Sequence, residues 1–198
     1  MRDYYEQLWE RLPAETHPPD LALRRSFMLA HARGSDRALD LGCGDGHFSG
    51  VLAGAVTAVT GADVAEAALI RARRRHPGLG FARVPFDGEL PFADGSFELV
   101  WASEVIEHVA DTARWMSEIR RVLAPRGRLL ITTPNHGRVR VARYGIAAFS
   151  PPLGDHLHLY TRRSLAGLLG EFGFGPVAVR VAGGRAPLRR LLLSHAER

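Results

Sequence analysis

Two carboxylates and an imidazole stand close together near the middle of the chain. Glu104, Glu107 and His108 share one short segment, and His156 and His158 follow farther along. Carboxylate oxygens and imidazole nitrogens are ligands for many divalent metals, and imidazole also serves widely as a general base. Acidic residues also suit the first turn of a helix. These residue types leave metal binding, proton transfer and plain helix structure open, and we assign no metal ligand from them.

A glycine-rich turn is the second feature that could do chemistry. Gly42, Gly44 and Gly46 alternate with other residues after the mostly apolar segment 38–41. Glycine permits positive φ and lets a ligand approach the backbone, so this pattern predicts a binding turn between a strand and a helix. The third glycine comes one residue too early for a dinucleotide fingerprint. Asp40 would repel a pyrophosphate and attract a cationic ligand.

A third candidate group follows a β-branched segment over residues 56–62. Asp63 comes directly after this predicted strand. Nucleosides bind at the carboxyl ends of parallel strands, so its carboxylate is placed to accept both hydroxyls of a ribose. Val64, the next residue, would pack on the adenine ring.

Composition limits the class of protein. The chain has 198 residues, 46% hydrophobic and 24% charged, which is typical of one globular α/β domain. It contains no apolar run long enough to span a membrane, and its first residues do not resemble a signal peptide. One cysteine, Cys43, and a scattered net charge of +5 favour a cytoplasmic protein without a nucleic-acid partner.

Hydrophobic periodicity places these residues on alternating strands and helices. Asp20 and Thr161 are predicted N-caps, and Trp115, Ile119 and Val122 form the predicted buried stripe of their helix. Strands are predicted near 37–41, 56–62, 81–84, 97–102, 128–133, 177–181 and 188–193. Helices are predicted near 3–11, 20–32, 46–54, 65–75, 111–123 and 162–172.

Five segments together resemble the class I S-adenosylmethionine (SAM)-dependent methyltransferases of the small-molecule type, similar to ubiquinone-biosynthesis-like O-methyltransferases. They occur in family order over residues 37–172: the turn at 38–46, Asp63, the loop 90–97, the segment 104–108 and the turn 133–135. The resemblance implies a Rossmann-like α/β fold with a seven-stranded, mostly parallel sheet, helices on both faces and an antiparallel last strand.

The resemblance also implies a domain plan and a cofactor site. Residues 1–198 would form a single methyltransferase domain, with 1–34 as an N-terminal helical cover and 134–160 as a substrate-side insertion. The cofactor would be S-adenosyl-L-methionine, and Arg24 or Arg25 could reach its carboxylate. The implied cofactor-binding residues are Asp40, Gly42, Gly44, Asp63, Val64, Phe86, Asp87, Ser103 and Glu104. The family has an acid where Pro85 or Phe86 stands here, which leaves the partner of the adenine amino group open.

The implied activity is transfer of a methyl group to a small-molecule acceptor, with O-methylation favoured. Because a sulfonium is already a good leaving group, the protein mainly positions the acceptor and removes its proton. His156 is the first candidate for the base, followed by His108 and His158. The acceptor itself is not specified, and a homodimer stays open.

Two alternatives remain at this stage. The segment 104–108 and the later Asp155-His156 pair also resemble the metal-assisted small-RNA ribose 2′-O-methyltransferases, in which Glu104, Glu107, His108 and His156 would be the metal ligands. The other alternative is a non-catalytic or NAD-binding α/β module.

Overall fold

The computed structural model describes residues 2–13, 20–145, 156–186 and 190–198. Within these ranges seven strands form one sheet: β1 (Arg37–Leu41), β2 (Ala58–Asp63), β3 (Gly80–Arg83), β4 (Phe97–Ser103), β5 (Leu123–Pro134), β6 (Ala178–Ala182) and β7 (Leu191–Glu197). Their order is β3-β2-β1-β4-β5-β7-β6. Only β7 runs antiparallel to its neighbours β5 and β6. This confirms the predicted seven-stranded, mostly parallel sheet with an antiparallel last strand.

Helices connect the strands over the faces of the sheet. The described helices are α1 (Arg2–Arg11), α2 (Leu21–His31), α3 (His47–Ala53), α4 (Glu66–Arg75), α5 (Thr112–Val122), α6 (Arg138–Tyr144) and α7 (Arg162–Glu171), with a 3-10 turn at Ile106–His108. Most predicted boundaries lie within two residues of these. The last strand begins later than predicted and runs to Glu197. The part of the predicted insertion at 146–155 and residues 188 and 189 of the predicted last strand lie outside the described residues.

Two apolar clusters cover the two faces of the sheet. On one face α5 and α7 pack with side chains that include Ile119, Leu165, Leu39 and Leu41. On the other face α2 and α3 contribute residues that include Phe27 and Leu52, packed with Ala38 and Trp101. Successive residues of a strand point to opposite faces, so Leu39 and Leu41 face α5 while Ala38 faces α3.

The two predicted helix caps have different outcomes. Thr161 caps α7, because its side chain accepts a hydrogen bond from the Ser164 N–H, and the Ser164 Oγ accepts one from the Thr161 N–H. Asp20 precedes α2 but its side chain does not cap it; its φ is 54° and its carboxylate accepts hydrogen bonds from Arg190 at 2.6 and 2.7 Å. Asp20 is thus confirmed as the N-cap residue of α2, but it makes no side-chain cap, because a distant arginine takes its carboxylate.

The buried stripe of α5 also differs from the prediction in one position. Met116, Ile119 and Val122 are buried, whereas Trp115 is only partly buried. An i, i+3 pattern identifies one side of a helix but does not separate residues in the core from residues at its margin.

The topology brings three turns together at one edge of the sheet. β1 pairs with β2 on one side and β4 on the other, so the carboxyl ends of these three strands are neighbours. The connections leave β1 in opposite directions along the sheet, and ligands bind at such a switch point in open α/β sheets. In the described part of the chain, we find no helix with the length and apolar character that a membrane span requires.

Candidate active site

A cavity of about 390 Å³ opens at this edge of the sheet. Its volume lies in the usual range for sites that hold a small molecule or cofactor. Eight of the nine residues predicted to bind a cofactor line it: Gly42, Gly44, Asp63, Val64, Phe86, Asp87, Ser103 and Glu104. The structure therefore brings together residues that are separated by more than sixty positions in the sequence.

The glycine turn forms the floor of the cavity. Gly42 and Gly44 have φ angles of 77° and 55°, which disfavour any residue with a Cβ. A Cβ on Gly44 would lie 2.6 Å from the ring of Trp9, and one on Gly42 would lie 2.3 Å from Val105. Glycine is thus required here both by backbone conformation and by the close approach of two side chains.

Asp63 holds the glycine turn from the end of β2. Its Oδ2 accepts a hydrogen bond from the Gly44 N–H at 2.9 Å, and its Oδ1 accepts one from the Ala65 N–H at 3.0 Å. Burial raises the pKa of Asp63, while the backbone N–H groups oppose that rise. Each carboxylate oxygen can accept a second hydrogen bond, so Asp63 still has capacity for the hydroxyls of a ligand.

Asp40 is the one predicted cofactor residue that the structure does not bring to the cavity. It is 2% exposed and does not line the cavity, and the Ser49 Oγ donates a 2.6 Å hydrogen bond to its Oδ2. Its side chain points to the same face of β1 as Ala38, toward α3. Burial raises the pKa of Asp40 to about 7. The geometry therefore gives Asp40 a supporting place beneath the turn and no direct contact with the cavity.

Replacing Asp40 by asparagine should change how stability depends on pH. The pKa of Asp40 is raised in the folded protein, so the folded state binds more protons than the unfolded state between about pH 4 and pH 7. The free energy of unfolding of the wild type should fall through this window by up to about 4 kcal/mol from this group. Urea denaturation at a series of pH values should show Asp40→Asn gaining on the wild type as pH rises. Ser49→Ala keeps the carboxylate and should keep the fall; parallel curves for Asp40→Asn and wild type would contradict the assignment.

A buried ion pair lies at the end of β4. Arg24 of α2 is 2% exposed, its Nη2 lies 3.0 Å from Glu104 Oε2, and its Nη1 donates to the Ser103 Oγ at 3.3 Å. Its Nε has no hydrogen-bond partner among the described residues. Burial raises the pKa of Glu104, and Arg24 counteracts this. Arg24, Ser103 and Glu104 all line the cavity, whereas Arg25 does not.

Glu104 also has an unusual backbone. Its φ is 56°, a left-handed conformation that is uncommon outside glycine. Such strain persists where surrounding contacts enforce it and occurs often at functional sites. Here the Glu104 N–H donates to the Thr132 carbonyl at 2.8 Å and its side chain pairs with Arg24.

The two predicted catalytic histidines lie next to each other, at different depths. His108 lines the cavity and His156 does not; their ring centroids are 4.7 Å apart with an edge-to-face arrangement. Glu107 lies beneath them, and its Oε1 is 3.9 Å from His108 Nε2. His158, the third candidate, does not line the cavity, and its Nε2 contacts the Val109 carbonyl at 2.9 Å. The catalytic roles of His156 and His108 stay predictions.

Helix α1 forms a roof over the cavity; the assignment of residues 1–34 as a helical cover stays a prediction. Its side chains Tyr5, Leu8 and Trp9 line the cavity together with Leu12. The Tyr5 ring stacks on Phe86 at a centroid distance of 6.3 Å and meets the His108 ring edge-on at 5.9 Å. The roof therefore contacts both the predicted adenine region and the predicted catalytic region.

Contacts on the outer side attach this roof to α4. The carboxylate of Glu6 accepts hydrogen bonds from the N–H groups of Glu66 and Ala67, both at 2.8 Å. These amides are among those that a helix leaves without internal partners at its start. Arg71 of α4 donates to the Leu12 carbonyl at 2.7 Å.

Four lining residues of the α5 region were not identified from the sequence as part of a site: Asp111, Arg114, Trp115 and Glu118. They come from the start of α5 and from its side that faces the loop at Leu90. Glu118 accepts a hydrogen bond from the Leu90 N–H at 2.7 Å, which closes the cavity between helix and loop. The sequence offered one indication of this part of the site, which was the large Trp115 side chain in a partly polar helix. The hydrophobic periodicity of the helix assigned Trp115 to the core instead.

The site fits a cationic nucleoside. Carboxylates at Asp63 and Glu104 line the cavity and suit hydroxyl and ammonium groups, and Arg24 suits a carboxylate. The third glycine of the floor comes one residue too early for a dinucleotide site. The Gly44 N–H already donates its hydrogen bond to Asp63. This arrangement is consistent with the methyl donor that the family uses.

Comparisons with known proteins agree with this geometry. The methyltransferase domain family matches residues 8–179 of the chain. A probable S-adenosylmethionine-dependent methyltransferase of Mycolicibacterium smegmatis is 37% identical over 107 residues, covering 54% of this chain and 41% of the relative. A malonyl-[acyl-carrier protein] O-methyltransferase of Methylococcus capsulatus is 36% identical over 143 residues, covering 70% and 51%. The chain thus spans about half, or less, of the length of these curated relatives.

A solved structure shows the same fold. The S-adenosylmethionine-dependent methyltransferase from Mesorhizobium loti superposes with a TM-score of 0.70 at 22% identity, over 90% of this chain and 97% of that one. The family match begins within α1 and ends within β6, so it includes every residue that lines the cavity except Tyr5. The chain belongs to the methyltransferase domain family and, within it, to the class I S-adenosylmethionine-dependent methyltransferases.

Proposed function

We propose that this chain transfers a methyl group from S-adenosylmethionine to an oxygen atom of a small-molecule acceptor. One observation supports the proposal most strongly. A single cavity runs from the glycine turn and Asp63, past the Arg24–Glu104 ion pair, to His108. It therefore combines groups suited to a nucleoside, an amino acid and an acceptor in that order.

The nucleoside end is formed by β2 and the loop after β3. Asp63 is placed to accept the ribose hydroxyls, and Val64 and Phe86 provide apolar surface for the adenine. The ring of Tyr5 stacks on Phe86 from the roof, so the aromatic wall is fixed before a ligand arrives. Asp87 lies in the same lining and is the nearest acid along the chain for the adenine amino group.

The amino-acid end is formed by α2 and the end of β4. The guanidinium of Arg24 is held by Glu104 and Ser103 and can bind a carboxylate, while Glu104 can accept from an ammonium. Both charges are already paired and oriented within the protein. Binding of a zwitterionic amino-acid group therefore adds a second pair of opposite charges to an existing one.

The acceptor end is formed by His108 and the residues beneath it. Bound S-adenosylmethionine supplies a methyl group on a sulfonium, which leaves as a neutral thioether. The protein then has to hold the acceptor in line with the methyl group. It also has to accept the proton of the acceptor or stabilise the acceptor as that proton leaves. His108 is the imidazole that the cavity exposes, and Glu107 and His156 support it from below.

Calorimetry with the product analogue tests the cofactor part of this proposal. S-adenosylhomocysteine should bind with one site per chain. NAD should not bind, because the third glycine of the turn comes one residue too early for a dinucleotide site and the Asp63 carboxylate accepts the hydrogen bond of the Gly44 N–H. Tight binding of NAD, or no binding of S-adenosylhomocysteine, would contradict the proposal and favour the alternative α/β module.

Transfer assays test the acceptor part. Methyl-labelled S-adenosylmethionine should pass its label to oxygen in a panel of small hydroxy and carboxylic acids and not to short RNA oligonucleotides. One curated relative is named for O-methylation of a malonyl group on a carrier protein, so malonyl thioesters belong in the panel. Label found at RNA ribose instead would support the RNA alternative. Variant His108→Ala should lose most of the transfer while keeping S-adenosylhomocysteine affinity.

A further inference from the structure

A second cavity, of about 550 Å³, lies where α2, α3 and the end of α4 meet. His47 lines both this second cavity and the active-site cavity at the glycine turn, so the two are neighbours. The volume lies in the range of pockets that hold small molecules. No step of the proposed methyl transfer uses this space. The second cavity is therefore a candidate site for a separate ligand.

The polar side chains that line the second cavity are two guanidiniums and two imidazoles. They belong to Arg25, His47, Arg75 and His76, and no carboxylate is among the described residues that line it. Arg25 is exposed and forms no ion pair with a carboxylate in the described ranges. Cationic side chains that converge on a concave space without a carboxylate in its lining attract an anion. The second cavity therefore favours a negatively charged ligand.

The positions of Arg75 and His76 also have a structural explanation. Arg75 is the last residue of α4 and His76 is its C-cap, and basic side chains are favoured at the C-terminal end of a helix. Arg25 has no such role, because it belongs to the first half of α2. Arg25 is therefore the residue whose place in the lining points most directly to a ligand.

The imidazole of His76 gives a second indication of a ligand. Its Nε2 is buried and has no hydrogen-bond partner among the residues that the structure describes. The ring packs against Gly50, where a Cβ would lie 2.3 Å from its Cε1. Glycine weakens the middle of a helix, and α3 carries one at the position that this ring requires. A ligand oxygen in the cavity can supply the partner that Nε2 lacks.

Phosphate is the anion that this lining fits best. A guanidinium donates two parallel hydrogen bonds to phosphate oxygens, and two arginines can share the charge of a phosphate dianion. Leu29, Val51 and Ala55 form an apolar wall of the same cavity. A phosphate group joined to an apolar body would use both parts of the lining, whereas a bare anion would use only one.

We propose that the second cavity binds a small phosphate monoester. Arg25 and Arg75 hold the phosphate group, and the organic part of the ligand packs against Leu29 and Val51. S-adenosylmethionine contains no phosphate, so this ligand is distinct from the methyl donor. Binding of the phosphate monoester does not rest on the proposed function.

A link between the two cavities runs through Asp45 of the glycine turn. Asp45 lines the active-site cavity, its Oδ2 lies 2.7 Å from Arg75 Nη1, and its Oδ1 accepts a hydrogen bond from the His47 N–H at 3.3 Å. A phosphate group on Arg75 competes with Asp45 for the guanidinium. The phosphate monoester should therefore weaken cofactor binding, and the cofactor should weaken its binding by the same factor. This consequence rests on the proposed function.

The test uses the full chain in a buffer free of phosphate and sulfate, without cofactor or acceptor. Calorimetry should show one saturable site for phenyl phosphate, weaker binding of inorganic phosphate and no binding of phenol. Arg25→Leu and Arg75→Leu should each weaken phenyl phosphate at least tenfold. Absence of a saturable site, or unchanged affinity in both variants, would overturn the proposal. Equal affinities for phenyl phosphate and inorganic phosphate would overturn the role of the apolar wall.

The matched control is Arg74→Leu, which removes the same charge from the neighbouring position of α4. Arg74 is exposed and does not line the second cavity. This variant should bind phenyl phosphate like the wild type, and an equal loss would show that net charge alone causes the effect, against the proposal. Circular dichroism checks the folding of each variant.

Titration of S-adenosylhomocysteine at increasing phenyl phosphate concentrations locates the bound phosphate. The apparent Kd of S-adenosylhomocysteine should rise at least about fivefold and then reach a plateau, because both ligands can bind at once. A rise without a plateau would place the phosphate in the active-site cavity and contradict the proposal. No rise contradicts only the link through Asp45. Failure of S-adenosylhomocysteine to bind, with phenyl phosphate still bound, contradicts only the proposed function.

Discussion

Replacing Arg24 by leucine should weaken S-adenosylhomocysteine binding at least about thirtyfold in calorimetry. Truncating one partner of a buried, hydrogen-bonded charge pair costs about 2–5 kcal/mol, and Arg24 is 2% exposed with Glu104 as its partner at 3.0 Å. The variant loses the group that suits the cofactor carboxylate and leaves the charge of Glu104 without compensation. It should also be less stable, because the Glu104 carboxylate, whose side chain is only 25% exposed, loses its counter-charge.

Two further variants separate these effects. Arg25→Leu changes the next residue of the same helix, which is exposed and outside the cavity lining, and it should bind S-adenosylhomocysteine like the wild type. The double variant Arg24→Leu with Glu104→Gln removes both charges, so it should recover much of the stability and none of the affinity. Wild-type affinity in Arg24→Leu would show that the ion pair plays no part in cofactor binding.

Replacing Asp63 by alanine should abolish measurable S-adenosylhomocysteine binding and lower the melting temperature. Two backbone N–H groups, of Gly44 and Ala65, lose their acceptor, at about 1–3 kcal/mol each. A chain of this size loses roughly 2–4 °C of melting temperature per kcal/mol, so the decrease should be about 4–24 °C. Differential scanning calorimetry measures this change.

Asp87→Ala is the matched control for Asp63→Ala. Asp87 lines the same cavity but is exposed, so this variant should keep the melting temperature of the wild type while weakening cofactor binding. If Asp63→Ala binds S-adenosylhomocysteine as tightly as the wild type does, Asp63 does not contact the nucleoside.

The sequence alone was sufficient to predict features that neighbouring residues determine. The glycine turn at Gly42 and Gly44, the acid at Asp63 and the positions of most strands along the chain follow from short patterns that directly determine backbone conformation and strand ends. Eight of nine predicted cofactor residues line one cavity for this reason. The capping box at Thr161 is equally local, since both of its hydrogen bonds join residues three positions apart.

The sequence was insufficient to predict the partner or the burial of a side chain where a distant part of the chain determines it. Asp20 pairs with Arg190, which lies 170 positions away. Asp40 belongs to a strand that is covered on both faces, so alternation alone does not show which face holds the ligand. Trp115 and Met116 differ in burial because a loop after β3 leaves a cavity beside α5. The hydrophobic periodicity of the sequence carries no information about that cavity.

Helix α1 contacts the start of α4 on one side and lines the cavity on the other. Glu6 holds the start of α4 while Tyr5 and Trp9 line the ligand space, so a ligand that displaces this helix also breaks the two Glu6 hydrogen bonds. Under the proposed function, spent and fresh cofactor occupy this same cavity, so the product should act as a competitive inhibitor.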